Sequence, residues 1–233
     1  MNKKYLLGFT VAEVMIAMAI VGVIAAITVP TIMANYQRQT LTTQFQKNYV
    51  DLEQNLTFLQ AENYAKTNMY SSILNKKDGK DIADTSGKFL KEYYQVQKDC
   101  ETTAQPCFAS QYASINSPST DVAFELCNSD SGGVTVQLKD NTAICIIPAM
   151  GSREIEANPV LGIPAHTTPD FPATVYMDVN GSEPPNIGGR DMFTFQIDNF
   201  RIVDNTAETN CITSSVGAGC LNHIIADRWK VRY

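Results

Sequence analysis

The sequence predicts an α+β protein in which one long N-terminal helix precedes an antiparallel β-sheet domain and lies on one face of that sheet. Three observations predict it. Residues 9–34 are predominantly apolar and hold one ionisable side chain, Glu13. Leu41, Phe45, Tyr49, Leu52, Leu56 and Leu59 then recur in steps of three and four, the spacing of a single helix face. From Asp121 onward, short β-branched and aromatic runs are punctuated by Asp-Asn turn signals.

The chain has 233 residues, which suits one compact domain plus an added segment. Charged residues make up 18% and the net charge is −6, with no run of Lys or Arg. Such a surface is unsuited to coating nucleic acid, where affinity comes largely from cations on phosphates, so no direct nucleic-acid partner is expected.

The first element is a short basic leader, residues 1–8, whose only charged side chains are Lys3 and Lys4. The apolar stretch behind it, 9–34, carries no charge from Val14 to Val29 and is long enough to cross a hydrocarbon core of about 30 Å as a helix. It is too long for the apolar core of an ordinary secretory signal. Lysines before the span and none within it predict a cytoplasmic N-terminus and an extracytoplasmic C-terminal domain. A plain anchor accounts for the length but not for Glu13, because a carboxylate inside a spanning helix is costly without a partner.

Gly8-Phe9-Thr10-Val11-Ala12-Glu13, followed by an apolar helix down to Pro30, resembles the prepilin motif of type IV pilins and type II secretion pseudopilins. The resemblance implies a pilin-like fold. It implies cleavage between Gly8 and Phe9 by a membrane-embedded prepilin peptidase, and N-methylation of Phe9 by the same enzyme. Glu13 then becomes the fifth residue of the mature chain. In a filament it is expected to face the Phe9 amine of a neighbouring subunit, and a partnered buried charge of this kind can specify register. Loss of Lys3 and Lys4 with the leader shifts the side-chain balance from −6 to −8. The implied partners are other pilin-type subunits, the peptidase and the inner-membrane platform of a secretion system. Pro30 removes a backbone donor and is expected to kink or loosen the assembly half of the helix.

Residues 35–65 form the amphipathic half of the helix, its apolar stripe turned to the sheet and Gln, Thr, Asn and Lys on the other side. A helix from Phe9 to Tyr64 spans about 84 Å. Residues 66–233 form the globular domain. Within it, 75–88 reads as a polar loop, 88–98 as a short helix, and 122–126, 134–138 and 143–147 as strands, with Asp140-Asn141 as a tight turn. A proline-rich loop follows. Strands are read at 173–179, 192–197 and 200–203, a hairpin turn at Asp198-Asn199, a short helix at 220–227 and a last strand at 229–233, for a sheet of about five strands.

All six cysteines, Cys100, Cys107, Cys127, Cys145, Cys211 and Cys220, fall in this domain. An even count in one region suggests disulfides and an oxidising compartment. Of the connectivities open to six cysteines, the sequence-local set Cys100–Cys107, Cys127–Cys145 and Cys211–Cys220 is favoured. With no CxxC and only His166 and His223, zinc is poorly supported.

The segment from Asp178 to Asp191 resembles loops of pseudopilins, some of which hold calcium. Asp178, Asn180 and Asp191 offer hard oxygen ligands for Ca²⁺. The same residues also suit a turn in which Asp side chains bond backbone amides, and that reading is favoured over a metal. No other cofactor is expected. GxSxG, HExxH and P-loop patterns are absent from the sequence. The expected function is structural and not enzymatic: a pseudopilin subunit of a type II secretion-like filament. The alternative is a type IV or minor pilin used in adhesion, motility or DNA uptake. The C-terminal series Cys211, Cys220, Trp229 and the 178–191 loop favour the pseudopilin.

Overall fold

A computed structural model describes residues 8–64, 82–128, 130–148, 152–155, 166–169, 173–198, 200–205 and 210–230. The leader up to residue 7, positions 75–81 of the polar loop, most of the proline-rich loop and residues 231–233 lie outside the described residues. The chain divides into two compact units, Met1–Thr40 and Leu41–Tyr233.

The elements run in chain order as α1 (Val11–Tyr64), α2 (Ile82–Tyr93), β1 (Val96–Glu101), β2 (Gln111–Ser114), β3 (Ser117–Ala123), β4 (Val134–Leu138) and β5 (Ala143–Pro148). The hairpin strands β6 (Ser152–Ile155) and β7 (His166–Pro169) follow, then β8 (Ala173–Asp178), β9 (Met192–Asp198), β10 (Arg201–Asp204) and α3 (Leu221–Ala226).

In the first unit, α1 is long and apolar enough to cross a membrane. Its large side chains lie open: Val11, Met15, Met18, Val21 and Ile27 are all exposed. The helix continues through Pro30. Proline has no N–H to give the carbonyl four residues back. The hydroxyls of Thr28 and Thr31 flank it and donate to the carbonyls of Ile24 (3.0 Å) and Thr28 (2.8 Å).

The second unit is built on a six-stranded sheet in the order β1-β4-β5-β8-β9-β10, every neighbouring pair antiparallel. Two small sheets, β2–β3 and β6–β7, stand apart from it. Phe45, Leu52, Leu56 and Leu59 of α1 are buried in one core with Val136 of β4, Ile144 of β5, Val175 of β8 and Phe195 of β9. The Phe45 ring stacks on Phe193 at 3.8 Å. Aromatic pairs of this kind add about 1 kcal/mol beyond the area they bury.

Two polar side chains lock the register of the helix on the sheet. Asn48, fully buried among the polar residues of α1, donates from Nδ2 to Thr142 Oγ1 at 2.7 Å. That hydroxyl in turn donates to the Val179 carbonyl at 3.1 Å. Lys47 pairs with Asp140 at 2.8 Å. The lysine side chain is 60% exposed, so this pair contributes little stability by itself.

The three disulfides are Cys100–Cys107, Cys127–Cys145 and Cys211–Cys220, the sequence-local set. The first two are buried in a second core with Phe108, Tyr112 and Phe124; the third joins the main core.

Several boundaries differ from the sequence reading. The short helix is Ile82–Tyr93, so positions 82–88 of the expected polar loop are helical, while 96–98 begin a strand that pairs with β4. Only Val122 and Ala123 of the strand read at 122–126 are extended; Phe124 leaves the ladder to pack against Phe108, Tyr112 and Tyr176. The sheet has six strands and not five, because β1 adds an edge. The proline-rich loop contains the β6–β7 hairpin. Trp229 does not open a strand: its φ is 59°, and its N–H bonds back to the Ile224 carbonyl at 2.8 Å, closing α3.

Candidate functional site

Gly8 and Phe9 precede the helix, and Phe9 is 88% exposed. Among the described residues, a Cβ built at Gly8 meets nothing within 4 Å. Nothing in the described fold of the chain therefore requires glycine there.

Thr10 and Glu13 start the helix together. The Thr10 N–H donates to Glu13 Oε2 at 2.8 Å, and the Thr10 hydroxyl donates to the same oxygen at 2.9 Å. The Glu13 N–H returns a bond to Thr10 Oγ1 at 3.3 Å. This is a capping box, in which residues three apart satisfy each other's free amides at a helix N-terminus. Thr10 was not singled out by the sequence reading, although Thr-x-x-Glu ahead of an apolar run is the sequence signature of that motif. One carboxylate therefore has a local partner in the single chain, four residues after Phe9.

The second candidate region is the loop from Asp178 to Asp191. Asp178 ends β8 and Asp191 precedes β9, and both are fully buried. Tyr112 Oη donates to Asp178 Oδ2 at 2.5 Å, and the Asn180 N–H donates to Oδ1 at 3.1 Å. Asp191 Oδ2 accepts the Asn186 N–H at 2.6 Å and its Oδ1 accepts the Ile187 N–H at 2.7 Å. Asn180 turns its amide nitrogen to the carbonyls of Glu183 and Pro184. All four carboxylate oxygens thus accept bonds from the protein, the arrangement of a loop closed by Asp side chains on backbone amides. Among the described residues, no three or more His, Cys, Asp or Glu side chains cluster as a metal-binding group. Gly189, at φ +81°, lets the loop back onto the Cys211–Cys220 bridge, where a Cβ would come within 2.8 Å of Cys220 Sγ.

Burial pushes the Asp191 carboxyl up to about 6 from 3.8, against the pull of the Ile187 and Asn186 amides. Burial, then the nearby Asp191 charge, raises Asp178 well above the usual carboxylate range. The folded-state values exceed the unfolded ones, so the folded domain retains protons that the unfolded chain releases. The resulting stabilisation is complete below 3.8 and, for Asp191, is lost as the pH rises through about 6. The difference for Asp191 corresponds to about 3 kcal/mol. Thermal unfolding is expected to show a higher melting temperature at about pH 5 than at about pH 8. Equal values would show that both carboxylates stay ionised on their amide donors.

No family model, curated protein or solved structure matches the chain.

Proposed function

We propose that the chain is a prepilin-type structural subunit, a pseudopilin of a type II secretion-like filament. One observation carries the reading. Gly8-Phe9 stands at the mouth of a capped, apolar, outward-facing helix, and the same helix ends on a disulfide-bonded antiparallel domain. The subunit enters the inner membrane with its leader cytoplasmic and its domain extracytoplasmic. Prepilin peptidase cuts after Gly8 and methylates Phe9. The apolar faces of neighbouring copies then pack together on the secretion platform, and Glu13 of one copy meets the Phe9 amine of the next. The subunit performs no chemistry of its own.

Processing gives a mature chain of 225 residues, eight fewer than 233, beginning with methylated Phe9. Intact-mass and N-terminal analysis of membrane-extracted protein reads this directly. A start near Asn35 would mark an ordinary signal peptide and end the proposal. Gly8→Val is expected to block cleavage. Because a side chain at position 8 has open space in the chain itself, the block would arise in the peptidase and not from misfolding.

A further inference from the structure

A cleft of about 400 Å³ opens in the second unit between α1, the turn from α2 to β1 and the hairpin turn from β4 to β5. Asn48, Asp51 and Asn55 of α1 form one wall, Tyr93, Tyr94 and Gln95 the second, and Leu138, Lys139 and Asp140 the third. The size falls within the range of small-ligand sites.

The lining points to one ligand chemistry. Two lysines and two aspartates balance each other, and Lys47 is already bonded to Asp140. A phosphate would find no free cluster of cations, and a metal would find no converging carboxylates. An apolar ligand would meet one aliphatic side chain, Leu138. What remains is a neutral surface of amides and tyrosines. Tyr94 is held in place by an edge contact with Phe89, and Tyr93 by a tilted contact with the same ring.

Tyr94 Oη is buried, and no donor or acceptor, the Asn55 amide beside it included, meets it in hydrogen-bond geometry. A buried hydroxyl without a partner is uncommon and calls for an explanation such as a bound molecule. The Asn55 amide lies against it, and that amide is held to the Tyr93 carbonyl by a bond of only 3.4 Å. A small rotation of Asn55 would open the hydroxyl to the cleft.

We propose that this cleft binds a neutral saccharide of disaccharide size, whose hydroxyls bridge the Asn55 amide and the Tyr94 hydroxyl while Gln54 and Asp51 take the outer ring. Side-chain amides and carboxylates pair with vicinal hydroxyls, and tyrosine combines an apolar face with a polar tip. The inference does not depend on the prepilin reading, and its failure would leave the processing prediction standing.

The test uses the full chain in nanodiscs, since common sugar-headed detergents would compete. Saturation-transfer NMR is run with cellobiose, maltose and diacetylchitobiose at about 20 mM, a concentration that populates millimolar complexes. At least one is expected to bind. Tyr94→Phe is expected to weaken that binding about tenfold, the loss of one net hydrogen bond. The same variant should melt no lower than the wild type, because it removes only an unpaired hydroxyl; this separates lost binding from lost fold. Absence of transfer to all three sugars would overturn the proposal. So would equal affinity in Tyr94→Phe, which would leave the hydroxyl to an ordered water. Tighter binding of a sulfated disaccharide than of its neutral parent would overturn the assignment of ligand class.

Discussion

Glu13→Ala is expected to abolish filament assembly while leaving the second unit folded and Gly8-Phe9 cleaved. A carboxylate in the apolar segment is unfavourable alone, and in the single chain its partners are the Thr10 amide and hydroxyl. Alanine removes the cap, at a cost of about 1 kcal/mol to the first helical turn. In the proposed filament it would also strand the Phe9 amine of a neighbour in an apolar bundle, where an unpaired ion costs about 3–5 kcal/mol. The second effect dominates and falls on assembly alone. Glu13→Gln separates the two, because a glutamine at this position still accepts the Thr10 N–H but carries no charge. If charge pairing drives assembly, Glu13→Gln fails as Glu13→Ala does; if capping drives it, Glu13→Gln assembles. Filament yield and inter-subunit cross-linking are the readouts, with circular dichroism as the folding control. Wild-type yield from Glu13→Ala would remove the assembly mechanism.

Phe45→Ala is expected to destabilise the second unit by about 3–5 kcal/mol, the range for deleting a fully buried phenylalanine. Phe45 has no exposed surface, stacks on Phe193 and lies within 6.4 Å of Phe195 and 6.0 Å of Trp229 by ring centroid. Truncation opens a cavity between helix and sheet that this rigid aromatic group cannot close. Phe58→Ala, in the same helix, is the contrast: Phe58 is 61% exposed, and the change should stay within about 0.5 kcal/mol. Denaturant melts of the two variants check this, and similar midpoints would show that α1 is not held to the sheet through Phe45.

Much of this was legible in the sequence because period and position speak locally. The stripe from Leu41 to Leu59 repeats at helical spacing, and all six of its residues are buried or half-buried against the sheet. The turn at Asp140-Asn141 was legible because asparagine tolerates the left-handed conformation it adopts there, φ 73°. What escaped lies at edges and across long separations. In β1 only Cys100 is buried, and in β3 six of seven residues are exposed, so neither shows the alternation that marks a strand with one covered face. Asn48 sat unnoticed on the polar side of α1 because its partner, Thr142, is 94 residues away. Asp178 reads as a metal ligand or a turn residue until Tyr112, 66 residues earlier, is brought onto its carboxylate. Thr10 was overlooked for a different reason: Glu13 already had a role in the processing motif, and one signature hid another.

The six cysteines are between 0% and 6% exposed, each sealed inside one of the two cores. A sulfur in that position cannot be reached by an oxidant or by a reducing partner once the domain has closed. Cross-linking must therefore be finished while the chain is still open, and pairing errors can be repaired only during the same interval. After closure the bonds leave equilibrium with the surrounding thiol pool, and their persistence is governed by how often the cores open. For this domain, resistance to reduction is a matter of unfolding rate.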